Sequence, residues 1–569
     1  MNIIGINQSG HVSSAILIRD GKPVCGGAEE RFNREKNSRK FPINAIKFIL
    51  KDQNLKISDI DYFATGWNPA INIAKFDNAF STERARYRGE YLYSVPNFLL
   101  QLYGNKESKY TFQKISLFGK DCDIYFINHH DAHAAGSFFC SSFKKAAILT
   151  ADGFGERQCT TFRVGQGNEI KMLRYDEFPQ SVGMLYSTFT DFLGFEVSSD
   201  EWKVMALGAY SNENNPYYEK MRRLVNLKKD GEFEIDLTYF DYYNFYKGSY
   251  FTQKMVDLIG KPRKKDEELE QRHYDIAAAL QQITEEILTH FLSWLHEKTM
   301  TENLCVSGGV FMNSLFNGRI IKKSNFKRVY ISSMPDDSGI SLGAAMYLHH
   351  CILNNKNEYF MKEHNYFGPE FLNEEIKNIL EKYKIKYEVL KEPGKTAAKL
   401  ISEGKIIGWF QGRMEFGRRA LGNRSILADP RDPKMKDKVN MTIKYREPFR
   451  PFAPSVLQEH VDEYFVTNDD INVLFMEKVY LIKKEKQKLV PAVTHKDGTG
   501  RLQTVKKEIN PKYYNLIKEF MNITGIPIVL NTSFNLKGEP IVCTPDDAIR
   551  TFYTSGLNAL IMGDFLIMK

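Results

Sequence analysis

The sequence predicts an α/β fold in which a βββα unit occurs twice, followed by a separate C-terminal α/β domain. The first unit starts in residues 1–27, where strand-like alternation is broken by the turn Asp20-Gly21-Lys22-Pro23. Residues 144–173, KKAAILTADGFGERQCTTFRVGQGNEIKML, show the same succession of strands and glycine-containing turns. A helical apolar pattern follows each stretch, AIKFILKDQ after the first and GMLYSTFTDFLGF after the second. The repeat lies in the pattern and not in residue identity, and it indicates an internal duplication.

A duplicated core of this kind is typical of the actin/Hsp70/sugar-kinase class, whose paired hairpin turns hold phosphates, so we predict a bilobal N-terminal domain of that type. Residues 269–298 have sustained helical periodicity and predict one long helix. Residues 353–368 are polar and aromatic without a clear period, which indicates a domain boundary. The predicted domains are residues 1–355 and 369–569, joined by a linker over residues 356–368.

The composition is that of a globular protein. The chain has 569 residues with a formal net charge of +8, and its 43% hydrophobic and 26% charged residues exclude disordered and fibrous classes. No apolar run approaches the roughly 18 residues of a membrane span, and the N-terminus lacks the regions of a secretory signal. The seven cysteines include no CxxC pair, which argues against a disulfide framework. We expect a cytoplasmic protein without membrane attachment.

The segment Asn128-His129-His130-Asp131-Ala132-His133 predicts a metal site. On a helix, His129 and His133 are four residues apart and project from one face, the spacing that chelates a divalent metal. His130 and His133 are an alternative pair at a spacing of three. Asp152 and Asp337 both lie where a strand runs into a glycine-containing turn, and they are the candidate oxygen ligands. The competing interpretation is that the histidines only cap or cover a helix.

Glycine-rich turns predict contacts between the backbone and an anion. Asp152-Gly153-Phe154-Gly155-Glu156 and Ser307-Gly308-Gly309 both follow strands, and glycines let N–H groups approach a phosphate. Each could equally be an ordinary tight turn. His11, in the first hairpin turn, is a candidate general base because imidazole titrates near neutral pH.

Most of the net charge lies in one stretch, which we call the basic cluster, residues 405–450. It contains 12 Lys and Arg against 5 Asp and Glu, a net charge of +7. Its cations stand among glycines and prolines, for example in Gly417-Arg418-Arg419-Ala420-Leu421-Gly422 and in the segment KYREPFRPFAP. Rigid frames of this kind suit arginines that bind phosphate, whereas a flexible nucleic-acid tail is rich in lysine. The competing interpretation is a solvated basic face.

With these motifs in this order, the sequence resembles the O-carbamoyltransferases that modify nodulation factors and antibiotics, including the tobramycin and cephem carbamoyltransferases. The resemblance covers essentially the whole chain, and its specific stretches include GGAEERFNREKNSRKFP, HHDAHAAGSF, DGFGE, NLCVSGGVFMN, DDSGISLGAA, QGRMEFGRRALGNRSILADPR, IKYREPFRPFAPSV, DGTGRLQTV and NTSFNLKGEPI. Two departures are visible. The family has His-Asp-Ser where this chain has His11-Val12-Ser13, and it has proline at the position of Arg418.

The resemblance implies a Kae1-like N-terminal domain of actin/Hsp70 type and a YrdC-like C-terminal domain. It implies that carbamoyl phosphate and ATP give carbamoyl adenylate in the C-terminal domain. The carbamoyl group is then transferred, in the N-terminal domain, to a hydroxyl group of a small acceptor such as an antibiotic, a sugar or another natural product. The implied cofactors are ATP, Mg²⁺ and a divalent metal, Fe²⁺.

The resemblance also implies roles for single residues. The metal ligands would be His129, His133, Asp152 and Asp337, and the catalytic base would be His11. The residues that hold carbamoyl phosphate and the adenylate would be Arg419, Lys444, Arg450, Arg501 and Ser533. The nucleotide in the N-terminal domain would contact Gly153, Gly155, Gly308, Gly309 and Asn313.

Other interpretations stay open on the sequence. A threonylcarbamoyl-type or hydrogenase-maturation carbamoyltransferase is one, although the latter has paired CxxC zinc motifs that are absent here. A nucleic-acid-binding protein that uses the basic cluster predicts an affinity that falls steeply with salt. A non-catalytic actin-like switch predicts slow hydrolysis of ATP to ADP without pyrophosphate. We expect no nucleic-acid partner, a homodimer, and an acceptor pocket formed by residues 70–118 and 225–265.

Overall fold

The computed structural model of the chain describes residues 1–8, 12–68, 110–117, 119–244, 248–356, 363–467 and 471–569. The chain forms two compact units. The first unit contains residues 1–24, 53–313 and 319–361, and the second unit contains residues 25–52, 314–318 and 362–569. Two short stretches, residues 25–52 and 314–318, therefore join the C-terminal part of the chain.

The first sheet begins the chain. Its strands are β1 (Asn2–Asn7), β2 (Ser14–Arg19), β3 (Lys22–Ala28), β4 (Tyr62–Thr65), β5 (Tyr110–Leu117) and β6 (Lys120–Ile127). Their order is β3-β2-β1-β4-β6-β5. β1 pairs antiparallel with β2 and parallel with β4, and β4 pairs parallel with β6. Most positions of β1 and β2 are buried, as in strands that are covered on both faces.

The second sheet repeats this layout. Its strands are β7 (Lys145–Ala151), β8 (Gln158–Gln166), β9 (Glu169–Glu177), β12 (Asn303–Ser307) and β13 (Arg328–Ile331), in the order β13-β12-β7-β8-β9; β10 (Val225–Leu227) and β11 (Phe233–Ile235) form a separate hairpin. In both sheets, an antiparallel trio is joined through its first strand to a later parallel strand. This confirms the predicted α/β class, with a strand layout that occurs twice.

The α-helices are numbered along the chain. Those of the first unit are α3 (His129–Phe138), α4 (Val182–Phe192), α5 (Glu201–Leu207), α6 (Tyr217–Arg222), α7 (Gln253–Ile259), α8 (Gln271–Thr299), α10 (Ile320–Lys323) and α11 (Ile340–Tyr347). Those of the second unit are α1 (Glu29–Asn33), α2 (Ile43–Asp52), α9 (Ser314–Asn317), α12 (Asn373–Lys382), α13 (Pro393–Ser402), α14 (Met435–Val439), α15 (Val461–Tyr464), α16 (Lys484–Gln487), α17 (Pro511–Thr524) and α18 (Pro545–Tyr553). The long helix predicted over residues 269–298 is α8.

Helices α3 and α11 pack against each other through small residues. A Cβ at Gly343 would lie 1.9 Å from the carbonyl oxygen of Ala132, and a Cβ at Gly136 would lie 3.2 Å from the Cα of Gly343. Only glycine permits this approach of the two backbones. The contact places α3, which contains the histidine motif, beside the helix that follows Asp337.

The second unit is built on a mixed sheet. Its strands are β14 (Glu388–Val389), β15 (Ile407–Phe410), β16 (Arg424–Ala428), β17 (Ala453–Leu457), β18 (Phe465–Val466), β19 (Lys478–Ile482), β20 (Thr499–Val505), β21 (Ile528–Ser533), β22 (Ala559–Met562) and β23 (Phe565–Met568). Their order is β14-β23-β22-β15-β16-β21-β17-β20-β19-β18. Apolar side chains of the sheet and of α13 and α17, among them Trp409, Leu516 and Phe520, form one core.

No helix among the described residues is long and apolar enough to cross a membrane. The seven cysteines all lie in the described ranges, and no two of them form a disulfide bond.

Candidate metal and phosphate sites

Two parallel strands of the second sheet bring candidate residues to one edge. β7 and β12 are parallel neighbours, so Asp152, directly after β7, and Ser307, the last residue of β12, lie at the same edge. α3 begins at His129, shortly after β6, and Asp337 begins a single 3₁₀ turn that leads into α11.

His129, His133, Asp152 and Asp337 meet in one cluster, which we call the His/Asp cluster. One ligand atom from each residue lies within 4.8 Å of all the others. Nε2 of His133 is 3.0 Å from Oδ2 of Asp152, and Nε2 of His129 is 3.6 Å from both Asp152 Oδ2 and Asp337 Oδ1. The structure therefore brings together the four residues that the sequence analysis selected as metal ligands.

His130 lies outside this cluster. Its Nδ1 is 2.7 Å from the hydroxyl oxygen of Thr150, and its Nε2 is 2.9 Å from the carbonyl oxygen of Gln158. Burial lowers the pKa of His130 well below its ordinary value, which keeps the ring neutral. Of the two pairs that the sequence left open, the structure places the pair at the spacing of four, His129 and His133, beside the carboxylates.

The His/Asp cluster fits a divalent transition metal. The side chain of His129 is buried, and neither of its ring nitrogens has a hydrogen-bond partner among the residues that the structure describes. Buried polar atoms are rarely left unpaired in proteins, so Nε2 is free to bind a ligand atom. Two imidazoles and two carboxylates are a donor set used for iron, manganese and zinc, and it does not select one of them.

The histidines and carboxylates of the cluster shift one another's pKa values. Burial by itself would lower the pKa of His133, but the hydrogen bonds and charges of Asp152 and Asp337 raise it to about 9. Burial by itself would raise the pKa of Asp152, but the two imidazoles hold it well below its ordinary value. A positive charge is therefore favoured between these carboxylates, and a metal ion would supply it in place of the proton.

Glu156 ties the start of α3 to the turn that follows β7. Its carboxylate accepts the backbone N–H of His129 at 2.9 Å and that of Asn68 at 2.7 Å. At the start of a helix, the backbone N–H groups that have no partner within the helix and the helix dipole both favour a negative charge. Burial acts in the opposite direction and raises the pKa of Glu156. Because Asp152 belongs to the same turn, Glu156 fixes His129 relative to Asp152.

Further hydrogen bonds continue from this contact. The Asn68 amide donates to Oδ1 of Asn128 at 2.9 Å, and the Asn128 amide donates to Oδ2 of Asp131 at 2.9 Å. Arg163 pairs with Oδ1 of the buried Asp131. On the other side, Ser307 Oγ is 3.1 Å from Nδ1 of His133, which leaves Nε2 of that ring directed at the carboxylates.

The roles of Glu156 and Ser307 were not predicted from the sequence. Both are in motifs that it singled out, Glu156 in DGFGE and Ser307 in SGG, but these motifs were read for their glycines. The acid that directly follows the glycine turn in DGFGE was the available signal for Glu156.

Two of the predicted glycines are required by close packing. Gly308 has a φ of 104°, and a Cβ there would lie 2.1 Å from the carbonyl oxygen of Ala151. At Gly155, a Cβ would lie 2.9 Å from Cδ2 of His130. Both turns therefore depend on glycine for the geometry of the His/Asp cluster.

The other predicted nucleotide contacts are placed as follows. A Cβ at Gly309 would lie 3.0 Å from Asp152 Oδ1, and one at Gly153 would meet nothing closer than 3.5 Å. The Asn313 amide donates to Oε1 of Gln281 at 2.9 Å and accepts from the Gln281 amide at 3.2 Å. Their contact with a nucleotide stays a prediction.

The predicted base and acceptor pocket lie largely outside the described residues. The structure does not describe residues 9–11, which include His11. It also does not describe residues 69–109, which include most of the first stretch predicted for the pocket. In the second stretch, residues 225–265, Phe240 and Tyr242 are buried, and the Tyr242 hydroxyl donates to the carbonyl oxygen of Pro179 at 2.6 Å. These two aromatic side chains serve the core.

In the second unit, Lys444 and Ser533 are in contact. Nζ of Lys444 donates to the carbonyl oxygen of Ser533 at 2.5 Å and to Oδ1 of Asn535 at 2.8 Å, and it is 3.4 Å from Oγ of Ser533. Burial lowers the pKa of Lys444 well below its ordinary value, and the charges of Arg446 and Arg450 lower it further. The ammonium group lies in a site where an added negative charge would be favourable.

The charges of the predicted arginines act on one another and on Lys444. Burial lowers the pKa of Arg501 to about 9, with Arg419 and Arg450 as the further causes. The guanidinium of Arg501 makes no hydrogen bond or ion pair with any residue in the described part of the chain. Arg446 is in the quoted motif KYREPFRPFAP but was not selected as a site residue. It is partly buried, and burial, Arg450 and Arg501 lower its pKa. We call Arg419, Lys444, Arg446, Arg450 and Arg501 the cation group.

A buried glutamate orders the loop that contains Arg419. Oε1 of Glu415 accepts the backbone N–H of Leu421 at 2.7 Å, of Asn423 at 2.8 Å and of Arg424 at 3.3 Å. Three backbone donors on one carboxylate fix the path of residues 417–423. Nη1 of Arg419 then donates to the carbonyl oxygens of Phe475 and Met476.

Comparisons with known proteins point to one family. A family model of the carbamoyltransferase N-terminus matches residues 2–346, and a model of the carbamoyltransferase C-terminus matches residues 398–569. The nodulation protein NolNO of Sinorhizobium fredii is 36% identical over 98% of this chain and 79% of its own length. The 3'-hydroxymethylcephem-O-carbamoyltransferase of Streptomyces clavuligerus is 27% identical over 67% of each chain.

A solved structure of full-length HypF in its phosphate- and nucleotide-bound form is also similar, with a TM-score of 0.33 and 16% identity over 62% of this chain and 56% of that chain. Similarity at this level supports no conclusion about the function of this chain.

Proposed function

This chain belongs to the carbamoyltransferase family, and we propose that it is an ATP-dependent O-carbamoyltransferase that uses carbamoyl phosphate and a small acceptor with a hydroxyl group. The observation that supports this most is Arg501. This guanidinium lies among other cations and makes neither an ion pair nor a hydrogen bond with a described residue. A phosphate group of a substrate would supply the missing negative charge.

The first step activates the carbamoyl group. Water cleaves carbamoyl phosphate to carbamate and inorganic phosphate. A carbamate oxygen then attacks the α-phosphorus of ATP, the bond from this phosphorus to the oxygen that bridges to the β-phosphorus breaks, and pyrophosphate leaves. The product is carbamoyl adenylate, and Mg²⁺ accompanies the ATP. We assign this step to the predicted C-terminal domain, residues 369–569.

The cation group fits this step. Lys444, Arg450 and Arg501 would bind the phosphate oxygens and stabilise the charge that develops at the α-phosphorus and on pyrophosphate. Arg419, fixed by its loop, and Ser533, in contact with Lys444, would complete the site. Of the 12 cations in residues 405–450, Lys405, Lys434 and Lys438 are exposed, and the other nine are buried or partly buried. A small enclosed anion therefore suits this site better than a nucleic acid.

The second step transfers the carbamoyl group in the predicted N-terminal domain, residues 1–355. The acceptor oxygen attacks the carbonyl carbon of the adenylate, the bond from that carbon to the bridging oxygen breaks, and AMP leaves with this oxygen. His11 takes the proton of the hydroxyl group. A divalent metal at the His/Asp cluster would polarise the carbonyl group or orient the adenylate phosphate. Ser307 and Glu156 keep His133 and His129 directed at the two carboxylates.

The names of two relatives support a class of acceptor. One relative is a nodulation protein, and another transfers the group to a hydroxymethyl substituent of a cephem. A hydroxyl group on a sugar or another natural product is therefore the acceptor that we propose for this chain, with Fe²⁺ as the metal.

The proposal is tested by incubating the protein with Mg²⁺, ATP and carbamoyl phosphate and measuring pyrophosphate and carbamoyl adenylate. We expect both products in the wild-type protein and a rate at least about 100-fold lower in Arg501→Ala, the size of effect typical for loss of one charge-stabilising donor. Lys434→Ala, which removes an exposed lysine of the same stretch, should keep the wild-type rate. Formation of ADP without pyrophosphate would contradict the proposal and support the nucleotide-switch interpretation.

A further inference from the structure

Two residues of α3, His130 and Asp131, lie between the two histidines of the His/Asp cluster but do not belong to it. Both side chains are buried. They contact the hairpin of β7 and β8, and the turn of this hairpin contains Asp152. The segment HHDAH therefore has two outer histidines at the cluster and an inner pair that faces a neighbouring hairpin.

The hydrogen bonds of His130 define which ring nitrogen has the proton. The carbonyl oxygen of Gln158 can only accept a hydrogen bond, so Nε2 of His130, at 2.9 Å, is the N–H. In a neutral ring, Nδ1 then has no hydrogen, and it accepts from the hydroxyl group of Thr150 at 2.7 Å. Both nitrogens are used, and the ring has one tautomer and one orientation.

The chain of hydrogen bonds continues across the hairpin. Thr150 and Thr161 are paired positions of β7 and β8, and their hydroxyl oxygens are 2.6 Å apart. A hydroxyl group has one hydrogen, and that of Thr150 is directed to His130, so Thr161 is the donor in this contact. The oxygen of Thr161 accepts the Nε–H of Arg163 at 2.9 Å. The direction of every bond from Arg163 to His130 is therefore fixed.

Arg163 also reaches the second inner residue of the segment. Its guanidinium is buried, and Nη1 pairs with Oδ1 of Asp131. One arginine thus holds Asp131 directly and His130 through two hydroxyl groups. Because His130 and Asp131 are neighbours in α3, these contacts form a closed ring, which we call the polar ring: His130, Asp131, Thr150, Thr161 and Arg163.

The polar ring attaches α3 on both sides of the turn that contains Asp152. Thr150 precedes Asp152 by two residues. On the other side, the carbonyl oxygen of Gln158 that accepts from His130 also accepts the N–H of Gly155 at 2.7 Å and so closes the turn. A Cβ at Gly155 would lie 2.9 Å from Cδ2 of His130, so the ring packs directly on the turn.

We propose that His130 is a positioning residue for the metal site, which acts through the polar ring to fix the two histidine ligands of α3 relative to Asp152. The proposal rests on the metal site of the function proposed above. It assigns the outer histidines of HHDAH to the metal and the inner pair to the attachment of the helix. Glu156 holds the backbone at the start of α3, and the polar ring adds a side-chain contact with the strands of the hairpin.

Thr150→Val tests this role without a change to any histidine or to any charge. Valine has nearly the shape of threonine, and it removes the hydroxyl group that donates to Nδ1 of His130. Thr160→Val is the matched control, because Thr160 is also buried in this hairpin but its hydroxyl group has no hydrogen-bond partner among the described residues. Thr150→Ser keeps the hydroxyl group and tests for rescue.

The metal-free full-length proteins are titrated with Co²⁺, and the visible absorption spectrum reports both affinity and ligand geometry. We expect the dissociation constant to rise about 10-fold in Thr150→Val, as for loss of a residue that orients a metal ligand. The absorption bands should shift, because the imidazoles move relative to Asp152. His130→Gln, whose flexible side chain does not hold both contacts of the planar ring, should show at least the same rise. Thr150→Ser and Thr160→Val should bind Co²⁺ as the wild type does.

Three results would overturn the positioning role. One is a wild-type dissociation constant and spectrum in Thr150→Val. The second is an equal rise in Thr150→Val and Thr160→Val, which would show that loss of any buried hydroxyl group of the hairpin has this effect. The third is a lower melting temperature of Thr150→Val with wild-type Co²⁺ binding, which would show that the polar ring supports only the fold.

The same preparations distinguish this role from the proposed function. If Co²⁺ binding differs among the variants as expected but the wild type transfers no carbamoyl group to an acceptor, the proposed function fails and the role of His130 stands. If the wild type binds no Co²⁺, the metal site fails and the role of His130 fails with it, whereas formation of pyrophosphate is measured independently.

Discussion

At the scale of single residues, His129 gives the strongest reason to expect a ligand. A buried polar atom without a hydrogen bond costs about 1–3 kcal/mol, and both ring nitrogens of His129 are in this state among the described residues. The same side chain faces two carboxylates at 3.6 Å, too far for a hydrogen bond. A metal ion between these atoms would bind the imidazole and both acids.

Glu156→Gln is expected to weaken metal binding although the residue is not a ligand. Glutamine removes the charge that accepts the N–H groups of His129 and Asn68, so the start of α3 is less firmly fixed. Loss of such a neighbour typically costs about 10–100-fold in metal affinity. Titration of the metal-free protein with Co²⁺, followed by its absorption spectrum, measures the affinity and the ligand geometry. The exposed Glu213→Gln serves as control, and an unchanged affinity in Glu156→Gln would refute the role.

Local spacing decides which of these residues the sequence could predict. His129 and His133 are four positions apart, and the helix period alone places them on one face. Glu156 contacts the backbone of a residue 27 positions away, and no spacing rule signals such a contact. Within KYREPFR, the spacing does not distinguish Arg446 from Lys444 and Arg450, so one member of the cation group was not selected.

At the scale of elements, the turn after β12 is expected to tolerate no side chain. Gly308→Ala places a Cβ 2.1 Å from the carbonyl oxygen of Ala151 at a φ of 104°. Backbone strain of this kind costs of order 1–3 kcal/mol, so we expect a loss of at least about 2 kcal/mol in the free energy of unfolding. Urea denaturation followed by fluorescence measures it.

Gly153→Ala is the matched control, because a Cβ at Gly153 meets nothing closer than 3.5 Å. Equal stability of the two variants would contradict the packing described for this turn.

Asp176, a partly buried acid near the end of β9, is expected to make stability depend on pH. Burial raises the pKa of Asp176 to about 7, although the charge of Arg174 opposes this. The unfolded chain releases this proton near pH 4 and the folded chain only near pH 7. The contribution of Asp176 to stability is therefore full below about pH 4 and is lost as the pH rises to about 7.

Asp176→Asn removes the titrating carboxyl group and therefore the loss of stability that its ionisation causes. We expect the fall in the urea midpoint between pH 5 and pH 8 to be smaller in Asp176→Asn than in the wild type and in the exposed control Asp121→Asn. The same pH dependence in all three proteins would show that Asp176 does not titrate in this range.

Periodicity predicted the elements of this fold better than their arrangement. The long helix α8 and the two strand trios follow from apolar periods of 3.6 and 2. The pairing of β1 with β4 joins Ile3 to Tyr62, and contacts across such a separation leave no local pattern. The strand order could therefore not be predicted from the strands themselves.

At the scale of the whole molecule, the division of the chain into two units does not follow its order. Residues 25–52 belong to the second unit, which the sequence could not indicate, because the carbonyl groups that Arg34 contacts lie more than 500 residues away. Periodic patterns of apolar and charged residues indicate the secondary structure of a segment, but they do not indicate which other segment it contacts.

His129→Ala is expected to separate the two proposed steps. It should lower metal content and abolish transfer to an acceptor, because it removes one ligand of the His/Asp cluster. Formation of pyrophosphate should continue at the wild-type rate, because the cation group belongs to the second unit. Metal analysis and a pyrophosphate assay on one preparation measure both, with His460→Ala as control. Unchanged metal content in His129→Ala would refute the ligand assignment.

In the proposed reaction a carbamate oxygen attacks the α-phosphorus of ATP, and an oxygen label tests this step. Carbamoyl phosphate labelled with ¹⁸O in its carbonyl and bridging positions is incubated with the protein, Mg²⁺ and ATP, and the AMP formed is analysed by mass spectrometry. We expect AMP that contains ¹⁸O from the carbamoyl group, whether an acceptor or water receives that group. AMP without label, or nucleotide released only as ADP, would contradict it.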